Sequence, residues 1–316
     1  MANQICVCGD GMGNMGTPTC DSIFKVAKKF IFRRRFNSLG GEQYIDPSLT
    51  LNLAWLTPFV NHADNSYKMF FTPLLKNIKM VKGDPIFETF EDNSSNFISE
   101  NVRKATAELP QCRPSWKEEF EKMRCEDIGV YAVDILGNII GCQKYGYNFL
   151  YPLPLNPASV YAAVMMAEDA KSQSIALQFE IPNTFDDSSL RMISAAAFTD
   201  FSMLNIKGLI NANIAFSNII SGGVTATITT PSTDLASTIP IEGLVVTDFV
   251  SSVGGATSKI RDTTSGADVA ITTVTESAPG VYNLTYTLAA AKVVVVFAAE
   301  NGIDFIALKD ENYTTV

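Results

Sequence analysis

Three cysteines close to the start of the chain, Cys6, Cys8 and Cys20, have side chains that could bind a metal ion. A structural zinc site needs four ligands, and its cysteines usually come as a C-x₂-C pair. Here Cys6 and Cys8 form a C-x-C pair, and no nearby histidine completes the set. We therefore predict that the chain uses no metal and no other cofactor, with a structural zinc on these three cysteines as the alternative.

A glycine-rich segment, Gly11–Gly16, matches the G-x-G-x-x-G pattern that binds the pyrophosphate of a dinucleotide. In that fold the motif opens a helix, and an acidic residue about 20 positions later binds the ribose. Here Pro18 stands where the helix should be under way, and the later positions hold the basic segment Arg33–Phe36. We therefore interpret residues 1–20 as a flexible arm rich in glycine and cysteine.

Five acidic residues within residues 84–109 could act as the paired carboxylates of a glycosidase: Glu88, Glu91, Asp92, Glu100 and Glu108. Two acids are weak support for that chemistry in a chain with 33 acidic residues. The single histidine, His62, has no nucleophile or orienting acid that its spacing identifies, and we interpret it as a turn residue. We predict that the chain is not an enzyme. Four of these acids, Glu88, Glu91, Asp92 and Glu100, are assigned to a solvated or channel-facing surface.

Charge is unevenly distributed along the 316 residues. Residues 1–150 hold 17 basic and 17 acidic residues, so the remaining residues carry the whole formal net charge of −9. An acidic chain is a poor candidate for sequence-specific DNA binding, which needs lysine and arginine to neutralise phosphates. The basic segment Lys25–Phe36 is expected to be a strand whose charges lie in water or pair with a neighbouring subunit; contact with nucleic acid or a membrane surface is the alternative.

The N-terminal residues have neither the basic start nor the apolar run of a secretory signal. No segment has the roughly 20 apolar residues of a membrane span. All six cysteines lie at or before Cys142, which excludes a disulfide framework over the whole chain. We expect reduced thiols, synthesis in a cytoplasm and no membrane partner.

Several local signals coincide from residue 115 onward, beginning with a predicted helix over about residues 115–124. Ser115 and Glu118 have the spacing of a capping box, in which each side chain bonds a backbone N–H of the first turn. Trp116, Phe120 and Met123 fall on one helical face, and charged residues fill the rest. We predict a one-sided helix that packs its apolar face on a sheet.

A β-hairpin is predicted directly after this helix. Residues 128–135 alternate with the two-residue period of a strand, and Gly137 and Asn138 supply a tight turn into residues 139–142. The helix and hairpin are expected to be a framework for assembly, without a role in chemistry.

Further strand signals lie on both sides of this segment. Residues 84–109 predict two strands joined by an acidic tip at residues 91–95. Residues 160–166 and 175–181 alternate as half-buried strands of one antiparallel sheet. Residues 21–202 are therefore predicted to form a mainly β domain, a β-barrel-like antiparallel sheet with a packed short helix.

Residues 203–316 have a different composition, dominated by Thr, Ser, Val, Ala, Ile and Gly. Recurrent short strand signals predict a β-sandwich domain. Residues 277–286, SAPGVYNLTY, resemble the PG-x-Y-x-L-x-Y strand common in immunoglobulin-like modules of surface and virion proteins. This resemblance implies an immunoglobulin-like sandwich, although the cysteine pair and tryptophan of antibody domains are absent from this stretch.

The first 200 residues resemble structural proteins of tailed phages and prophages. The resemblance rests on ICVCGDGMGNMGTPTC at the start, on FETFEDNSSNFISENVRKATAEL, and on WKEEFEKMRCEDIGVYAVDILGNIIG. Tail-tube proteins are similar in outline, with a β-barrel-like sheet, a packed helix and a long hairpin, and they form hexameric rings around the DNA passage. The six cysteines are not part of that pattern.

This resemblance implies a virion subunit that binds copies of itself and other virion proteins, while genomic DNA passes without sequence-specific binding. In such a tube Glu88, Glu91, Asp92 and Glu100 would line the inner wall and repel phosphates, and residues 203–316 would decorate the outside. The alternative is a head-decoration or adhesin-like virion protein whose C-terminal domain binds a host surface.

Overall fold

The structure is a computed structural model of the chain. It describes residues 24–316 except for gaps at residues 61, 63, 92, 111–112, 170–171, 207–210, 221–222, 233–236, 245–251, 254–255, 258, 263–267, 270, 287–291, 297–305, 308–309 and 315–316. The chain divides into two compact units. The N-terminal unit comprises Met1–Asn52 and Thr72–Asn205, and the C-terminal unit comprises Leu53–Phe71 and Ile206–Val316.

The described residues up to 205 hold twelve strands: β1 (Ala27–Arg34), β2 (Met69–Phe71), β3 (Lys76–Lys82), β4 (Ile86–Thr89), β5 (Ser95–Ser99), β6 (Arg103–Pro110), β7 (Ile128–Asp134), β8 (Ile139–Cys142), β9 (Leu153–Pro154), β10 (Asn156–Met165), β11 (Ser174–Ile181) and β12 (Leu190–Ile193). The helical segments are α1 (Leu53–Val60), α2 (Ser115–Glu121) and three short 3₁₀ segments at Lys122–Cys125, Asp187–Ser189 and Ala195–Ala197.

Two antiparallel sheets build the N-terminal unit. The first has the strand order β12-β8-β7-β1, with β9 also paired to β7. The second has the order β10-β11-β6-β3. The predicted class, a mainly β chain with antiparallel sheets, is confirmed.

A core cluster of this unit consists of buried side chains from both sheets. In β11, Ile175, Leu177 and Phe179 are buried and alternate with less buried residues, because successive side chains of a strand point to opposite faces. Phe32 of the first sheet meets Phe179 of the second edge-on, with ring centroids 5.7 Å apart. Phe30 makes a similar contact with Phe179 at 5.1 Å, so this aromatic group links the two sheets.

Helix α2 joins the same core through its predicted apolar face. Phe120 is buried against Phe32, with ring centroids 5.4 Å apart, and Trp116 stacks on Phe120. Met123, in the 3₁₀ segment that follows the helix, packs against the same cluster. The predicted grouping of these three side chains on one face is confirmed.

The predicted capping box of Ser115 and Glu118 is wrong. The cap residue is Pro114, whose backbone is already helical with φ −56° and ψ −32°, and no side chain makes the cap hydrogen bond there. Because the fixed φ of proline suits the first helical turn, the turn starts one residue earlier and Ser115 lies inside the helix. The helix also ends before the predicted residue 124. α2 ends at Glu121, and a 3₁₀ segment, Lys122–Cys125, follows it.

Strands β7 and β8 form the predicted hairpin, and one carboxylate holds its turn. Asp134 accepts hydrogen bonds from the backbone N–H groups of Leu136 and Asn138 at 2.8 and 2.9 Å and from the Asn138 amide at 2.7 Å. Gly137 has a φ of +88°, a conformation that favours glycine. The Asn138 side chain also accepts the N–H of Ala195 at 2.8 Å, which ties the turn to the following chain.

The basic segment in β1 is largely buried. Arg33 donates to the backbone carbonyl of Tyr44 at 3.0 Å and to the side chain of Gln43. Lys29 donates to the backbone carbonyl of Met203 at 3.3 Å, and burial lowers its pKa to about 8. The expectation that these charges lie in water or pair with another subunit is therefore wrong for Lys29 and Arg33.

The described residues after 205 hold a further twelve strands: β13 (Asn211–Ile220), β14 (Gly223–Pro231), β15 (Thr238–Pro240), β16 (Ser252–Val253), β17 (Ala256–Thr257), β18 (Lys259–Asp262), β19 (Asp268–Val269), β20 (Ile271–Ala278), β21 (Val281–Tyr286), β22 (Lys292–Val296), β23 (Ile306–Ala307) and β24 (Asp310–Thr314). They form one sheet of order β20-β21-β14-β13-β23, with β15 on β14, a second of order β19-β18-β22-β24, and the pair β16-β17.

Strand β21 has the alternation that the sequence predicts. Tyr282 and Leu284 are buried, while Asn283 and Thr285 are exposed. The turn from β20 contains Gly280 with a φ of +70°. The immunoglobulin-like arrangement of the whole domain stays a prediction.

Replacing Phe120 by alanine should destabilise the N-terminal unit strongly, because the ring is buried between Phe32 and Trp116. We expect the free energy of unfolding to fall by about 3–5 kcal/mol, the usual range for a buried Phe→Ala change. Chemical denaturation measures this loss. The control is Tyr145→Ala, since Tyr145 is fully exposed and should change stability by about 0.5 kcal/mol or less. Equal stability of the two variants would contradict the placement of α2.

Lys29 should make the stability of the chain depend on pH in the alkaline range. Its pKa is about 8 when folded against a normal value of 10.5, so between these values the unfolded state binds more protons. Stability therefore rises with pH across this window, whereas below pH 8 both states are protonated and the cost of burying the charge is full. Denaturation of the wild type and Lys29→Met from pH 7 to 10.5 tests this. The wild type should gain stability relative to the variant as pH rises; a constant difference would show that Lys29 is not the cause.

Candidate assembly surface

Residues 76–110, which we call the arm, form a long antiparallel excursion from the second sheet. Strands β3 and β6 pair at its base, for example Met80 with Ala105 and Lys82 with Arg103. Strands β4 and β5 then pair only with each other and form the arm tip, residues 86–99. The single hairpin predicted over residues 84–109 is thus two parts, because β6 belongs to the sheet with β11.

The arm tip exposes aromatic side chains. Phe87 and Phe97 are cross-strand partners whose rings meet edge-on at 5.9 Å, yet they are 52% and 55% exposed. Ile86, Phe90 and Ile98 are also exposed. An isolated two-stranded hairpin is marginally stable in water, and a cluster of exposed apolar side chains is typical of a surface that binds a partner.

The four acids assigned to a channel-facing surface have different surroundings. Glu88 and Glu91 are exposed on the arm tip. Glu100 pairs with Lys82 at 3.0 Å, so its charge is balanced within the chain. Asp92 lies outside the described residues. The channel-facing assignment itself stays a prediction.

A small ion-pair network fixes the arm at its base. Asp187 pairs with both Lys82 and Arg103 at 2.8 Å, which ties β3 and β6 to the 3₁₀ segment Asp187–Ser189. The hydrogen bonds to Asp187 and then to Glu100 raise the pKa of Lys82. The arm therefore leaves the unit from an anchored position, which the sequence did not predict because 84 residues separate Arg103 from Asp187.

The two outer strands of the second sheet differ in whether side chains cover their free edges. At β10, Arg124 donates from Nε to the carbonyl of Val160 at 2.5 Å, and Glu121 accepts the N–H of Ala162. Glu121 and Arg124 also pair with each other at 3.0 Å. The side chains of α2 and its 3₁₀ extension therefore cover this edge, which is one way in which proteins block unwanted strand pairing.

The edge of β3 has no such cover among the described residues, where β6 is its only strand partner. Lys76 and Lys79 on this strand are exposed. Lysines at an edge strand weaken pairing with other strands, unless the incoming strand carries acidic residues. Within the described part of the chain, side chains thus cover two backbone groups at the edge of β10, whereas the edge of β3 is open.

The other candidates for chemistry do not form a site in the described residues. Cys6, Cys8 and Cys20 and the glycine motif Gly11–Gly16 lie outside them. Among the described residues no group of three or more His, Cys, Asp or Glu side chains could hold a metal ion. In the same part of the chain, no helix has the length and apolarity needed to cross a membrane.

His62 and Cys142 have local roles. The Nδ1 atom of His62 accepts the N–H of Asp64 at 3.0 Å, and its ring stacks on Tyr67, which confirms the predicted turn residue. Cys142 is buried, and burial raises the pKa of its thiol to about 11. Its thiolate is therefore rare at neutral pH, and this cysteine is a poor nucleophile.

No protein-family model matches the chain, and neither a curated protein nor a solved structure does. Its function is therefore inferred from the geometry of the described residues.

Removing the cover of β10 should make the chain associate through that edge. In the double variant Glu121→Ala/Arg124→Ala, the carbonyl of Val160 and the N–H of Ala162 lose their side-chain partners, so we expect more aggregation, measured by static light scattering over time. The matched control is Glu119→Ala/Lys122→Ala, a pair at 2.7 Å in the same segment whose side chains do not cap these two groups. Equal scattering by the two double variants would contradict the protective role.

Proposed function

We propose that the chain is a structural subunit of a tailed-phage virion, similar to a tail-tube protein, that assembles with copies of itself into rings around a DNA passage. The arm carries this proposal. Its tip exposes Ile86, Phe87, Phe90, Phe97 and Ile98, each between 45% and 57%. Aromatic side chains are enriched at the centre of protein interfaces, and their exposure here is accounted for if a second subunit covers them.

The acidic charge at the arm tip fits a passage for DNA. Glu91 is exposed there, close to the apolar side chains in the sequence. Acidic groups repel phosphates and let a nucleic acid pass without being held. The formal net charge of −9 for the chain agrees with a protein that surrounds DNA without binding a sequence. Copies of the chain and other virion proteins are then its partners, and the virion is its location after synthesis in a host cytoplasm.

A second candidate is a head-decoration or adhesin-like virion protein that binds a host surface through the C-terminal unit. What favours it is the β20–β21 hairpin, in which the turn at Gly280 and the alternation of Tyr282 and Leu284 with exposed residues match the immunoglobulin-like pattern. In this case loss of residues 206–316 would abolish attachment to the host and leave self-assembly intact.

Replacing the two tip aromatics should prevent assembly. The wild type is expected to form rings or tubes as its concentration rises, and Phe87→Ser/Phe97→Ser to remain monomeric, because the apolar contact is lost. Sedimentation velocity and electron microscopy measure both. The matched control is Leu39→Ser/Leu136→Ser, which changes two exposed apolar residues outside the arm and should assemble normally. A wild type that stays monomeric at high concentration would count against the proposed function.

A further inference from the structure

The open edge of β3 has the features of a strand acceptor. Its pairing with β6 is irregular between Lys76 and Lys79 and regular from Lys79 to Lys82. The irregularity includes Asn77, which has a φ of +52°. The regular part is four residues long, the same length as β4, Ile86–Thr89. An extended segment can add to such an edge through backbone hydrogen bonds.

An apolar cavity lies on the core side of β3. Ile78 and Met80 of β3 line it, together with Phe24, Val26 and Phe185 among others, and its volume is about 270 Å³. The charged residues in its lining are Lys25 and Arg103, and Arg103 is paired with Asp187. Within the described residues, the cavity is a space that apolar side chains from elsewhere could fill.

The opposite face of β3 is basic and exposed. Because side chains alternate along a strand, Lys79 and Val81 point away from the side on which Ile78 and Met80 line the cavity. Val81 is 61% exposed, and Lys79 is exposed. The segment Lys76–Lys82 contains three lysines and no acidic residue, so it favours an acidic incoming strand.

Strand β4 has the complementary pattern. Phe87 pairs with Phe97 on one face of the tip, and alternation puts Glu88 on the other face. A β4 strand that added to β3 with Phe87 toward the cavity would therefore place Glu88 on the side of Lys79. In this orientation Phe87 faces the apolar lining of the cavity and Glu88 lies on the side of Lys79. The opposite orientation would bring Glu88 toward the apolar lining.

We propose that β4 of a second copy of this chain pairs with the edge of β3, with Phe87 and Phe97 covering the cavity and Glu88 beside Lys79. This deepens the proposed function and rests on it, since it names where the arm tip binds. Donor and acceptor are different surfaces of one subunit, so each copy can give its arm tip to one neighbour and receive the arm tip of another. Such a head-to-tail contact produces a ring when the rotation closes.

A photo-crosslinking experiment locates the acceptor directly. The full chain carries p-benzoylphenylalanine in place of Phe87, and equal amounts of ¹⁴N- and ¹⁵N-labelled chains are mixed, assembled and irradiated. Mass spectrometry should find crosslinks from position 87 to residues 78–82 that join chains of different isotope. Crosslinks to another surface of a second copy, to residues 1–23, or only within one chain would overturn the acceptor site.

A charge exchange tests the same contact in solution. Lys79→Glu should raise the concentration needed for half-assembly several-fold, because like charges on paired strands repel, and adding Glu88→Lys should restore it. Lys122→Glu is the control, since Lys122 is exposed on a different segment and combining it with Glu88→Lys should rescue nothing. Failure of the rescue while the wild type still forms rings would reject this acceptor and leave the proposed function standing; a wild type without rings would reject both.

Discussion

The edge-to-face packing of Phe32 on Phe179 is the contact on which the N-terminal unit depends. These rings belong to different sheets and lie 5.7 Å apart, so they fix the separation at which the two inner faces meet. Phe120 adds to the same group at 5.4 Å from Phe32. Aromatic pairs contribute roughly 0.5–1.5 kcal/mol beyond the area that they bury, and here one ring, Phe32, takes part in both contacts. The position of α2 therefore follows from the packing of the sheets.

The buried charges of β1 show how a polar strand is accommodated next to this core. Burying an ionised group without partners is costly, and the chain supplies backbone carbonyls as partners at Tyr44 for Arg33 and at Met203 for Lys29. At the C-terminal end of the strand, Arg34 pairs with Glu126, and Arg35, the next residue, pairs with Asp127. The charged groups thus connect β1 to segments far away in the sequence and hold the first sheet in place.

The sequence correctly predicted elements that depend on patterns of neighbouring residues. The apolar face of α2, the turn at Gly137 and the alternation in β21 depend on residues a few positions apart, and each is found in the structure. The capping box failed because Pro114, which is preorganised for a helix, began the turn one residue earlier than Ser115. The spacing of Ser115 and Glu118 allows a capping box, but the neighbouring Pro114 starts the helix and takes the cap position instead.

Features that join distant segments could not be predicted in this way. The sequence gives no local reason for Lys29 to be buried, because its partner is 174 residues away. Likewise, the i, i+3 pair of Glu121 and Arg124 looks like the exposed pair of Glu119 and Lys122, and only the position of β10 distinguishes them. The sequence predicted strands at the arm tip, but it did not show that their aromatic residues lie on a hairpin whose two strands pair only with each other.

The cover of β10 depends on the docking of α2 while the chain folds. Glu121 and Arg124 reach the strand only when Phe120 is seated in the core, so a chain that has made its sheets but not docked the helix has a bare edge. Partly folded chains with unpaired strands are prone to aggregate. In the native chain, Glu121 and Arg124 protect this edge. The newly made chain is the one at risk of mispairing, and the speed of helix docking sets how long its edge stays open.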